Sequence, residues 1–271
     1  MKFRLLLVIL LLCGVLSCKK NDSTPSPNGK TTTTTTTTTT PPTSTSPSAP
    51  PATDAMDVAA NLVGGSLAAN SNGLLNIAVA CTAAAQAKMN VDSVCGTNWA
   101  SNLMISNPDG AAITYSYKSK YSYTINCNDT SKTDKYNVVS GLVYNGKFNN
   151  SNVLYNNSGT TLFTINGLSK ASALYGLSGE YVSTGTFTSK LNTTFAGSSD
   201  IDIKISALTL SKAGAMVAGG NASVTVTGTM PQRGQFNYTG SIVFNANNTA
   251  VLTLYSTVYL VNLTTGEDTK Q

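Results

Sequence analysis

The chain has 271 residues, a formal net charge of +5 and no histidine. Without imidazole the commonest general base and the commonest zinc ligand are gone, and no Gly-x-Ser-x-Gly, P-loop or dinucleotide fingerprint opens a helix, so nothing in the sequence points to an enzyme. From Asp54 onward eleven Lys and one Arg face nine Asp and two Glu, a near balance that lacks the basic groove nucleic acids require and argues for no acidic partner.

Met1–Ser17 has the pattern of a secretion signal, with Lys2 and Arg4 ahead of an apolar run, Leu5–Leu16, too short to span a bilayer comfortably. Val15-Leu16-Ser17-Cys18 resembles a lipobox, in which a small residue precedes a cysteine that becomes the lipidated N-terminus of the mature protein; the competing reading is a soluble secreted protein cut near Ser17. The leader is similar to those of Bacteroidota envelope lipoproteins, where Ser-Cys-Lys-Lys is followed by polar residues. That resemblance implies a signal peptide over 1–17, acyl (palmitate-type) chains on Cys18 and an anchor in the outer membrane, each buried methylene contributing about 0.8 kcal/mol. Lys19-Lys20-Asn21-Asp22 matches the surface-export signal of that group only loosely, so the periplasmic and cell-surface faces both stay open. Residues 18–53 hold ten consecutive threonines, Thr31–Thr40, flanked by Pro25, Pro27, Pro41, Pro42, Pro47, Pro50 and Pro51. Such a segment buries too little apolar area to offset its ordering entropy and is expected to be a disordered tether.

A single domain is expected over 54–271, with helices in 54–90 and strands in 97–265. Met56, Ala59, Ala60, Val63 and Leu67 recur at helical spacing, with Asp54 and Asp57 suited to the N-terminal end. After the breaker Asn70-Ser71-Asn72-Gly73, the series Leu74, Ile77, Ala78, Cys81, Ala85 and Met89 repeats that spacing. The second segment is apolar nearly all round. It is too short and too polar to enter a membrane, with Asn76, Gln86 and Lys88, and is expected to be buried in the core.

Then the period becomes two. In Ile113–Cys127 the odd positions, including Tyr115, Tyr117, Tyr121 and Tyr123, are apolar, aromatic or small and the even ones polar. No Gly, Asn or Asp sits at Lys118-Ser119-Lys120 to turn a hairpin, so one long curved strand is expected. Further strands are expected over 137–147, 160–168, 173–190, 200–210, 222–230, 234–245 and 250–263. Ile201, Ile203, Ile205 and Ala207 should share one face, as should Phe236, Tyr238, Ile242 and Phe244. Short Gly-, Asn- and Ser-rich connections suit antiparallel neighbours, and glycines within strands, Gly179 among them, mark kinks. The fold expected is mainly β with an N-terminal helical pair (α+β), a curved antiparallel meander forming an open or partly closed barrel around the helices. It resembles envelope lipoprotein carriers in which an unclosed barrel cups a helix, although none of their motifs is present. The overall plan, with Cys95-Gly96 before the tyrosine strand and Cys127-Asn128 after it, also resembles uncharacterised Bacteroidota lipoproteins and imports no activity.

Cys95 and Cys127 are the expected disulfide, closing about thirty residues for roughly 3 kcal/mol. Cys81 is then a buried small apolar residue, the rival pairing being Cys81–Cys95. Asp200 and Asp202 share a strand face expected to be wet, and the loop with Asn128, Asp129 and Asp134 lacks calcium-loop spacing, so no metal or cofactor is expected. Trp99, Tyr115, Tyr117, Tyr121 and Tyr123 are either core aromatics packed on the helices or a ligand surface. The function expected is that of a non-catalytic cell-envelope lipoprotein binding an apolar or glycan ligand, the alternative being an adhesin-like or structural domain presented on its tether. A pocket between helices and sheet larger than a few hundred Å3 would favour a ligand carrier, and a filled interior with a broad exposed aromatic patch would favour adhesion.

Overall fold

In the computed structural model of the protein, residues 53–91, 95–106, 114–127, 136–231 and 233–271 are described. The leader, Cys18, the tether and the loop with Asn128, Asp129 and Asp134 lie outside them. The chain divides into Met1–Pro47 and Ser48–Gln271, and every described residue belongs to the second unit.

Two helices, α1 (Thr53–Leu67) and α2 (Leu74–Val91), precede eleven strands: β1 (Asn98–Ser106), β2 (Thr114–Cys127), β3 (Tyr136–Asn149), β4 (Val153–Asn166), β5 (Leu174–Ser189), β6 (Ala196–Ser211), β7 (Val217–Met230), β8 (Gly234–Asn245), β9 (Thr249–Leu254), β10 (Thr257–Asn262) and β11 (Asp268–Lys270). All pairings are antiparallel and follow chain order from β1 to β11. The two end strands do not pair with each other, so the sheet is not closed.

α1 begins where the Asp54 carboxylate accepts the Ala55 N–H (3.1 Å), favourable at the positive end of the helix. It ends in a turn organised by Ser71, whose hydroxyl donates to the Gly65 carbonyl (2.8 Å) and accepts the Gly73 N–H (2.8 Å). That exchange satisfies backbone groups a helix end leaves open. The expected breaker is therefore the interhelical turn. Ala69 and Asn70 then donate to the carbonyls of Leu263 and Thr264 (2.8 and 3.0 Å), tying the turn to the loop after β10.

From Ala55 to Leu67 every residue of α1 but Asp57 is buried. A helix with no wet face must be covered on all sides, and α1 touches β4, β8, β9, β10 and β11 while α2 touches β5. Among the described residues no helix is long and apolar enough to cross a membrane. Close approach is possible because α1 carries Gly64 and Gly65. A Cβ on Gly64 would lie 2.5 Å from the Gly266 carbonyl oxygen, and one on Gly65 would lie 2.1 Å from Phe148 Cζ.

The tyrosine segment is one strand, β2, paired along its length with β3. Three expectations need correction. β4 begins at Val153, not Thr160, and pairs from there with Ser189. The segment 250–263 is a hairpin of β9 and β10 joined at Tyr255-Ser256, with Tyr255 at φ 50°. Its sequence contains the clue: the buried residues are even-numbered to Leu254 and odd-numbered from Tyr259, a change of face that a regular strand cannot make. Likewise Ala207 is exposed, because a bulge after Ile205 transfers the inward positions to Leu208 and Leu210. A second bulge falls at Gly179, as expected, with φ +139°.

Candidate functional site

The expected aromatic residues divide between core and margin. Tyr121 and Tyr123 are buried, 2% exposed each, and Tyr123 stacks on Trp99 at 4.6 Å with 10° between the rings. Trp99 and Tyr115 are partly buried against the same core, and the Tyr117 side chain lies outside the described ones. Lys88 of α2 sits 5.8 Å over the Trp99 ring. These rings join sheet to helix, so the described part of the row is core and not an exposed ligand surface.

Cys81 is a free, buried thiol that accepts the Ser140 hydroxyl proton at 3.3 Å. Burial, opposed by contacts from Ser140 and Tyr123, pushes its pKa up to about 12, so it is a packing residue and not a nucleophile. As a free thiol, Cys81 is not paired with Cys95 in this structure. Cys95 takes part in a disulfide, and the Cys127 side chain lies outside the described ones. On the outer face Asp202 is paired with Lys204 (3.3 Å), which also approaches Glu180 (3.8 Å), while Asp200 is exposed.

Two polar clusters escaped sequence reasoning. Behind the helical turn, Asn72 donates to Asn157 and Asn157 to Ser183 (2.9 Å), while Ser183 and Ser199 both donate to the Tyr155 oxygen (3.4 and 3.1 Å). This chain of buried hydrogen bonds locks the turn onto β4, β5 and β6. At the other end of α1, Asp57 accepts the Tyr259 hydroxyl (2.7 Å) and the Lys270 ammonium (2.9 Å), and Arg233 pairs with Asp54. Asp268 lies close by. Burial, and after it the Asp57 charge, push its carboxyl up to about 7. Among the described residues no third metal-ligating side chain joins the two aspartates. Nothing in their local sequence announces the pair, because β11 reaches α1 only after ten other strands are in place.

Two described clefts lie on the other face of the sheet. A cleft of about 750 Å3 opens on β1–β4, lined mainly by apolar atoms, between Asn102, Met104, Lys118, Lys120, Val143 and Asn145. A smaller hollow of about 200 Å3 adjoins it at Met104, Ser116 and Gly146. The register sets Met104 opposite Lys118, Lys118 opposite Asn145, and Lys120 opposite Val143. Met104 and Val143 are 70% and 61% exposed, and Leu162 on β4, diagonal to Val143, is 58% exposed. Apolar side chains that open to water cost about 25 cal/mol per Å2, and these three stand on one face of β1–β4.

Compared with known proteins, the chain matches no family model, no curated protein and no solved structure.

Proposed function

We propose that the protein is a non-catalytic cell-envelope lipoprotein, lipidated at Cys18, whose domain recognises an apolar or glycan ligand on the outer face of β1–β4. The finer architecture we propose is an open barrel, the sheet curling about the helical pair with β1 and β11 as its free margins. One observation carries the choice of site. The described inward side chains form one contiguous core with both helices, while the described clefts open outward. A carrier with its cargo between helices and sheet would need that interior space. A Pro- and Thr-rich composition such as that of residues 18–53 suits presentation of a module from a lipid anchor.

The Cys95–Cys127 disulfide belongs to the same proposal. Cys95 is disulfide-bonded and stands just before β1, where Gly96 donates to the Ile125 carbonyl (2.8 Å), so it lies at the end of β2 that carries Cys127. The bond would pin the start of β1, the free edge strand, to the end of β2.

Native mass spectrometry of the protein from its own host tests the reading, with wild type beside Val143→Trp. A ligand retained by wild type and lost by the variant supports it. A ligand retained by both puts recognition elsewhere, and a ligand on neither leaves the adhesin-like or structural alternative ahead.

A further inference from the structure

The near balance of charge over the domain hides a segregation. β1, β2, β3 and β4 contain no Asp or Glu at all. Their lysines, Lys118, Lys120 and Lys147, all stand on the exposed face. The strand carboxylates begin only at β5 and β6, with Glu180, Asp200 and Asp202. Lys118 and Lys120 are two residues apart on one strand, so their ammoniums emerge side by side on the wet face. Val143 and Leu162 are diagonal neighbours on that face, and the two lysines of β2 stand between Val143 and Met104. Asn102 and Asn145 add hydrogen-bonding groups to the wall of the cleft.

We infer that the cleft takes an amphipathic anion, a single apolar chain ending in a phosphate or carboxylate, with the head group at Lys118 and Lys120 and the chain packed on Met104 beside them. This rests on the outward site proposed above and names its ligand class. The reasons are chemical. A neutral apolar ligand would leave two ammoniums beside the apolar floor without a counterion, and a plain anion would leave that floor exposed. Only a ligand with both parts satisfies the whole cleft. About 750 Å3 is within the range of small-molecule sites and admits a chain of a dozen or so carbons. Nucleic acid is a poorer fit, because stacking platforms are aromatic and the described exposed side chains lining the cleft include no aromatic ring.

The test uses the mature chain made without its lipid, from Lys19 onward, titrated calorimetrically with dodecyl phosphate, dodecyltrimethylammonium and dodecyl maltoside, each below its micelle concentration. Dodecyl phosphate should bind one to one, roughly tenfold or more tighter than the other two. Lys118→Ala with Lys120→Ala should remove that preference, raised salt should weaken it, and Met104→Asp should abolish binding while circular dichroism stays unchanged. If the maltoside or the ammonium binds as tightly as the phosphate and Met104→Asp still abolishes binding, the anion class is wrong and the cleft stands. If no probe binds, or Met104→Asp leaves a folded protein with unchanged affinity, the anion class and the outward site both fail.

Discussion

Gly65→Ala is the most demanding probe of how α1 is lodged. On an isolated helix the change stabilises by up to about 1 kcal/mol, because glycine carries the larger entropic loss on ordering. Here the new methyl would stand 2.1 Å from Phe148 Cζ and 2.3 Å from Cε2, where carbon atoms prefer about 3.5–4.0 Å. The ring would have to retreat by well over 1 Å. It is 1% exposed and packs edge-on against Tyr155 at 5.6 Å, so there is little space behind it. Overpacking of this kind costs about 1–3 kcal/mol, the upper end applying where a rigid ring cannot rotate away. With the propensity gain subtracted, a net loss of about 2 kcal/mol is expected, or roughly 4–8 °C in Tm for a domain of this size. Urea denaturation followed by circular dichroism measures it. Phe148→Leu in the same chain should recover part of the loss, giving a coupling of about 1 kcal/mol between the two sites. If Gly65→Ala is as stable as wild type or more so, α1 does not press on β3 and the packing argued above is wrong.

Asp268→Asn tests the buried aspartate. The folded pKa of about 7 lies above the ordinary 3.8, so the folded state binds the proton more tightly. Asp268 therefore contributes stability below about pH 4, and that contribution is lost as pH rises to about 7. Asparagine cannot ionise, so the variant should match wild type near pH 4 and exceed it by about 1–3 kcal/mol at pH 8, measured by urea denaturation. Equal pH slopes for the two proteins would disprove the assignment. Cys81, buried with its pKa pushed up to about 12, should resist a disulfide-exchange reagent in the native protein and react fully in denaturant. Fast native labelling of Cys81 would mean that α2 leaves the core. Peptide mapping without reduction should recover Cys95 joined to Cys127, and a free Cys127 would remove the bond from the proposal.

Much of this domain is determined by local pattern. The helical spacing from Met56 to Leu67, the breaker at Asn70–Gly73 and the long alternation to Cys127 each dictate an element, because a 3.6-residue or two-residue period leaves only one way to bury the apolar side chains. Local pattern even carried hints that strand alternation alone passed over, such as the change of parity between Leu254 and Tyr259. What no local pattern contains is which strands meet across the sheet and around the helices. Lys118 acquires Met104 and Asn145 as neighbours only through register, and Asp57 meets the last strand only because the chain returns to the start of α1. Burial, too, was decided in three dimensions: the tyrosines of β2 were equally suited to a wet or a dry face until α2 settled against them. Periodicity fixes the face on which a side chain stands, whereas its pKa, its partners and the cleft it borders depend on contacts between residues far apart in the chain, and those exist only once the sheet is assembled.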